Sequence, residues 1–131
     1  MKNICIGLFE GETLPENLAA FKDVKLDLEF GKVTTIYTLH QLDCEKIVVV
    51  GLGDGKKNIK EAFSKVEADD YLVYVNENTA YAAGFGLLYG AYSYKEMKVY
   101  DLESDGFKDE FEKGKTVARI VNHAREMSDM P

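Results

Sequence analysis

Cysteine is scarce in this 131-residue chain, and the two present, Cys5 and Cys44, form no Cys-x-x-Cys pair. Two thiols close one disulfide at most, so a disulfide-stapled scaffold is excluded and the usage fits a reducing compartment. Long apolar runs are missing too: none approaches the roughly 20 residues needed to span a bilayer. The start of the chain, Met1-Lys2-Asn3-Ile4-Cys5-Ile6-Gly7, holds one basic residue and then a run too short for a signal-peptide core. A cytoplasmic location and no membrane partner are expected. Positive charge is outweighed, with 16 Lys and Arg against 23 Asp and Glu and a net charge of −7. Such a surface repels phosphate backbones, and the basic residues form no stripe interleaved with aromatics, so no nucleic-acid partner is expected. Internal repeats and low-complexity linkers are absent. What remains is 46% hydrophobic and 30% charged, the composition of an ordinary globular domain. One domain over residues 1–131, long enough for a real core, is expected.

Two runs lack polar alternation, residues 4–9 and 47–50, and read as strands buried on both faces. Residues 71–75 are a third. Between the first two, Thr13-Leu14-Pro15-Glu16 has the spacing of a capping box, with Thr13 as N-cap of a short helix that presents Leu14, Leu18 and Phe21. Leu26, Leu28 and Phe30 alternate with Asp27 and Glu29, as in a half-exposed strand. Residues 33–40 are richer in Thr, Ile and Tyr and predict a stronger strand. The short link 41–45 then predicts an antiparallel pair with the strand over 46–51. Asn58 caps a helix with Ile59, Ala62, Phe63 and Val66 on one face. Asn78 or Thr79 caps another that runs to about Tyr92 and is apolar nearly all round. Its Gly84, Gly86 and Gly90 each cost helix stability, which predicts a neighbouring backbone pressed against them. A short edge strand is expected within 97–102, an acidic loop over 101–112, and a last helix over about 110–127 with Val117, Ile120, Val121, Ala124 and Met127 on its packed stripe. Alternating strands and helices argue for an α/β fold, a mixed sheet flanked by helices with at least one antiparallel pair.

Residues 46–57 read Lys-Ile-Val-Val-Val-Gly-Leu-Gly-Asp-Gly-Lys-Lys, a strand running into glycines, where phosphate-binding loops sit. The spacing fails both templates. Gly51 and Gly55 are one residue too close for a P-loop, and Lys57 stands where the hydroxyl residue belongs. The third glycine comes one position early for a dinucleotide fingerprint, and Asp54 puts a carboxylate where phosphate would approach. A tight turn needing positive φ is the plainer reading. Asp101, Glu103, Asp105, Gly106 and Glu112 match positions 1, 3, 5, 6 and 12 of a calcium loop, yet residues 97–100 read as strand rather than as an incoming helix. His40 and His123 lack companions at ligand spacing, Cys44 across a turn from His40 excepted. No serine sits in a Gly-x-Ser-x-Gly elbow, and Asp69-Asp70 reads as a solvated turn. No catalytic, cofactor-binding or metal-binding residue is therefore assigned.

Several segments together resemble the N-terminal domain of the leucyl (cytosol) aminopeptidase family. They are Phe30-Gly31-Lys32 with the following strand to Leu39, residues 46–53, residues 82–95 (Ala-Ala-Gly-Phe-Gly-Leu-Leu-Tyr-Gly-Ala-Tyr-Ser-Tyr-Lys), and residues 118–131 (Ala-Arg-Ile-Val-Asn-His-Ala-Arg-Glu-Met-Ser-Asp-Met-Pro). The last is similar to the helix that links the two domains in that family, with its Asn-x-Ala-Arg-Asp/Glu core and following proline. The matches fall in the family's order over nearly the whole chain. The resemblance implies a macro-domain-like α/β fold and a non-catalytic role in assembly or active-site access. It implies as partners the protein's own C-terminal catalytic domain and further copies in a hexamer. Family members are metallopeptidases that use two divalent metals, zinc or manganese. Those metals and the catalytic residues belong to the C-terminal domain, with motifs such as Asn-Thr-Asp-Ala-Glu-Gly-Arg that this chain does not carry. The alternative is a small macro-like module binding phosphate or ADP-ribose at Gly51 to Lys57, although the Asn-Ala-Ala-Asn segment of ADP-ribose-binding macro domains has no counterpart.

Overall fold

The two apolar runs without alternation become the interior of a sheet. In the computed structural model, which describes residues 2–92 and 100–129, they are strands β1 (Asn3–Leu8) and β3 (Lys46–Gly51). With β2 (Val33–Tyr37), β4 (Tyr71–Tyr74) and β5 (Leu102–Ser104) they form a five-stranded sheet in the order β2-β3-β1-β4-β5. β2 and β3 are the expected antiparallel pair, with Thr35 opposite Val48; the other neighbours are parallel. The fold is thus a mixed α/β sheet flanked by helices.

Both faces of the inner strands are covered, which is why β1 and β3 carry no polar alternation. On one face Cys5, Val48, Val50 and Val73 pack under three helices, α1 (Ile59–Phe63), α2 (Ala80–Gly90) and α3 (Lys108–Asp129). On the other, Ile4, Ile6, Ile47 and Val49 pack under Leu18 and Phe21 of a short 3-10 segment, Glu16–Phe21, and under Leu14, Leu26 and Leu28 of the flanking loops.

Local readings hold unevenly. Asn58 caps α1, its side chain accepting from the Lys60 N–H. Thr13 caps nothing: the residue before the 3-10 segment is Pro15, without a side-chain cap, and Glu12 instead accepts from the Phe9 N–H. Residues 26–30 keep the alternating burial of a strand but join no ladder. They cross the end of β3, where the Gly53 N–H donates to the Leu28 C=O and a Cβ at Gly51 would strike the Leu28–Glu29 backbone. The edge strand expected within 97–102 falls partly outside the described residues, and the strand observed is β5, which starts at Leu102.

The glycines of α2 do what their cost implied. A Cβ at Gly84 would collide with the Phe111 carbonyl, at Gly86 with that of Lys60, and at Gly90 with that of Ser64. From the other side, Gly114 of α3 sits against the Tyr81 carbonyl. The packed stripe of α3 differs from expectation. Phe111 and Ala118 are fully buried, whereas Ile120 is 65% and Met127 63% exposed. Aliphatic content pointed to one stripe; the small residues that let two backbones close up define another.

Candidate functional site

The turn after β3 has the positive φ expected of it, at Gly53 (67°) and Gly55 (86°). Its N–H groups are engaged elsewhere. Gly51 donates to the Lys32 C=O, Leu52 to the Leu8 C=O, Gly53 to the Leu28 C=O, and Lys56 to Asp54 Oδ1. Lys57 lies over the Phe30 ring, 5.2 Å from its centroid. A phosphate cradle needs several amides aimed at one point; here four of them tie the turn to the end of β1, to the segment 28–32 and to Asp54.

Topology offers a better-placed concavity. β1 lies between β3 and β4, and the chain leaves β1 toward the 3-10 face but leaves β4 toward α2 on the helical face. The carboxyl ends of adjacent parallel strands therefore diverge, the geometry that opens a ligand crevice in α/β sheets. A crevice of about 230 Å³ lies there, bordered by Gly7, Thr13, Tyr74, Thr79, Glu12 and Asp105. Its polar groups are knitted to one another. The Asn76 N–H donates to Thr79 Oγ1, the Thr79 and Ala80 N–H groups donate to the Asn76 C=O, and the Asn78 N–H donates to Asn76 Oδ1. Asp105 Oδ1 accepts from the Val75 N–H at 3.0 Å, and Asn17 donates to the Tyr74 hydroxyl at 2.8 Å. Two carboxylates at the mouth make it a poor host for an anion.

The remaining candidates are dispersed. Within the calcium-loop template, Leu102–Ser104 is strand β5 and Glu112 lies inside α3. Asp101 and Glu103 hold Lys2, whose ammonium is kept protonated above its ordinary range by Glu103 and then by Asp101. Asp105 binds the Val75 amide and Glu112 pairs with Lys115. His40 is exposed with φ of 71°, while Cys44 is buried and its C=O accepts from Thr38 Oγ1 at 2.5 Å. Asp69 and Asp70 are engaged separately: Asp69 takes Asn3 and Lys46, and Asp70 accepts from the Asp101 N–H. Among the described residues no three His, Cys, Asp or Glu side chains come together as a metal ion requires, so the metals the aminopeptidase resemblance implies find no fitting donor set here. Nor is any helix among them long and apolar enough to cross a membrane.

The segment richest in polar detail is the one that carried the family resemblance. Asn122 Nδ2 donates to the Leu88 C=O and Arg125 donates to the Tyr89 C=O, each at 3.2 Å. These are among the last carbonyls of α2, which lack partners within the helix. Positive charge there also suits the helix dipole. Arg125 lies between two rings, 4.3 Å from the Tyr89 centroid and 4.2 Å from that of Tyr92, and donates to Asn122 Oδ1. Asn122 and Arg125 thus clasp the end of α2 to α3. Sequence reading picked out these residues without finding this role, because it depends on an element some 35 positions upstream.

No family model and no curated protein matches the sequence. Solved structures share the fold. The bottromycin maturation enzyme BotP aligns with 99% of this chain at a TM-score of 0.70 and 15% identity. The same enzyme in complex with Mn aligns over 99% at 0.67 and 15%. The alignments take in 33% and 32% of the BotP chain, so this chain spans about a third of that enzyme's length. At such identity the likeness is one of fold.

Proposed function

We propose that this chain is the non-catalytic N-terminal domain of a leucyl aminopeptidase-like metallopeptidase, serving assembly or access to an active site in another domain. The observation that carries the reading is the overlay of nearly the whole chain on one third of a longer enzyme solved with Mn. The ordered motif matches add to it. On this reading the two divalent metals, zinc or manganese, sit in the catalytic domain, which is the partner of this one, and the full-length protein assembles as a hexamer. The chain's own residues would supply a rigid plate rather than chemistry. The reading is tested in the reading frame that follows Pro131, where a domain bearing a metal-ligand motif of the Asn-Thr-Asp-Ala-Glu-Gly-Arg type is expected; an unrelated domain there, or turnover of leucine amide by the 131-residue chain with added zinc or manganese, overturns it.

A second reading, a small macro-like module for phosphate or ADP-ribose, was expected at Gly51 to Lys57; the crevice at the carboxyl ends of β1 and β4 offers it the space of a ligand site, while Glu12 and Asp105 at its mouth weigh against an anion. Calorimetry with ADP-ribose and with inorganic phosphate separates the two. Micromolar binding that is lost on Thr79→Arg would favour the module, and heats of dilution alone would remove it.

A further inference from the structure

We propose that the outer edge of β2 is a self-association surface, on which a second copy of this chain adds its own β2 antiparallel about a two-fold axis at Thr35. β2 ends the sheet, and among the described residues no strand lies beyond it. Exposed sheet edges ordinarily carry lysine, proline, a bulge or a covering element. β2 carries none of the residues: from Val33 to Leu42 there is no Asp, Glu, Lys, Arg or Pro, in a chain of net charge −7.

The ladder to β3 fixes which backbone groups face outward. The Gly51 N–H donates to the Lys32 C=O, and the Thr38 N–H donates to the Glu45 C=O. With Thr35 opposite Val48 in between, the N–H and C=O groups of Thr34 and Ile36 face β3, as do the Lys32 C=O and the Thr38 N–H; the Lys32 N–H goes to the Glu29 C=O and the Thr38 C=O to the Gln41 N–H. Antiparallel geometry then turns those of Val33, Thr35 and Tyr37 to the free edge. A two-fold at Thr35 pairs Thr35 with its own copy and Val33 with Tyr37 of the other. All three pairs join outward-facing residues, as hydrogen-bonded pairs of an antiparallel ladder must.

The side chains agree with that register. Val33, Thr35 and Tyr37 point to the helical face of the sheet, since they pair with Val50, Val48 and Lys46. The helices do not reach that far: Val33 is 38% and Tyr37 67% exposed, and Leu39 just beyond is 78% exposed. Pairing sets each Val33 against a Tyr37 and Thr35 against Thr35, combinations that stabilise antiparallel ladders. On the opposite face it sets each Lys32 opposite Thr38 of the other copy. The exposed Glu45 is the next residue across the sheet, two strand spacings or about 10 Å away, so at both ends the added strand brings opposite charges to about 10 Å of each other, an attraction that low salt would strengthen. The pairing would join two five-stranded sheets into one of ten and leave the crevice and the α2–α3 clasp untouched. It is independent of the aminopeptidase reading.

The 131-residue chain is tested by sedimentation equilibrium across micromolar to millimolar concentration, with amide hydrogen exchange at both extremes. A dimer is expected. Its formation should slow exchange at Val33, Thr35 and Tyr37, while Thr34 and Ile36, already bonded to β3, keep their rates. Thr35→Pro removes an outward N–H without touching the β3 ladder and should raise the dissociation constant at least a hundredfold. Should that variant not fold, Tyr37→Glu, whose carboxylate lies across from Lys46, should raise it at least tenfold with an unchanged melting temperature. Ile120→Ser, at the exposed stripe of α3, should leave it unchanged. A monomer at every concentration overturns the proposal. So does a dimer that survives the β2 variants, or one that Ile120→Ser abolishes.

Discussion

Cys5 lies at the centre of the sheet, fully buried between β3 and β4. Burial pushes its thiol from an ordinary value of 9.0 up to about 12. Tyr71, also buried and donating its hydroxyl hydrogen to the Glu67 C=O, is raised in the same direction by burial and then by the neighbouring Cys5, Asp69 and Glu67. Both groups are neutral when protonated, so the sign is unambiguous. Between about pH 9 and 12 the unfolded chain releases these protons while the native chain keeps them. The unfolded state then binds fewer protons, and stability falls as pH rises, by at most about 1.4 kcal/mol per unit for Cys5 alone. Below about pH 9 these two groups contribute no slope. Urea midpoints measured from about pH 8 to 11 should therefore decline only in the upper half, and Cys5→Ala, though less stable throughout, should decline less steeply. Equal slopes in the two proteins would refute the assignment. The burial of Cys5 was legible from its place in an apolar run. The isolation of the carboxylates was not, because the partners of Asp69, Asp101 and Asp105 come from distant parts of the chain, in or beside β1, β3 and β4.

At the scale of elements the α2–α3 pair shows what local reading catches and what it misses. Glycine in a helix interior has a known cost, so Gly84, Gly86 and Gly90 announced a close backbone neighbour before any neighbour was visible. The matching surface of α3 was hidden because helical periodicity rewards Val117, Ile120 and Met127, whereas the contact uses Phe111, Gly114 and Ala118 with a polar clasp at the end. Four variants test this contact. Gly114→Ala forces the helices apart at the Tyr81 carbonyl and should destabilise by about 1–3 kcal/mol. Gly106→Ala, which meets nothing within 4 Å, should stay within about 0.5 kcal/mol. Arg125→Ala strips a charged donor from the Tyr89 carbonyl and a cation from two rings, and should cost about 1.5–3 kcal/mol. Because Arg125 also bonds Asn122, Asn122→Ala and Arg125→Ala should combine to less than their sum. Chemical denaturation of the four variants and the double mutant checks the set; strict additivity of the clasp pair would show that the two side chains act separately.

The whole molecule is a sheet with unequal covers. One face carries α2 and α3, locked by interdigitated glycines and the clasp. The other carries a 3-10 segment and loops. This asymmetry was half legible. The apolar residues of both faces could be named from the sequence, including Leu14, Leu18 and Phe21, but the capping-box signal around Thr13 suggested a regular helix where the chain makes a short 3-10 piece with Leu18 off helical geometry (φ −111°, ψ 15°). The crevice at the ends of β1 and β4 was not legible at all, since it exists only through strand order. Loose cover has a dynamic consequence. Residues held by side-chain burial with few cooperative backbone bonds open with lower free energy than ladder residues. The Leu18 N–H is bonded only locally, to the Pro15 C=O, and the Lys22 N–H to the Ala19 C=O, whereas Val48 and Val49 lie on a strand paired on both sides. Native-state hydrogen exchange should thus find Leu18 and Lys22 exchanging at least a hundredfold faster than Val48 and Val49, through an opening that low urea barely accelerates. If instead all four amides share one opening free energy and one urea dependence, the two faces unfold as a single unit, and the 3-10 cover is as much part of the cooperative core as the helices opposite.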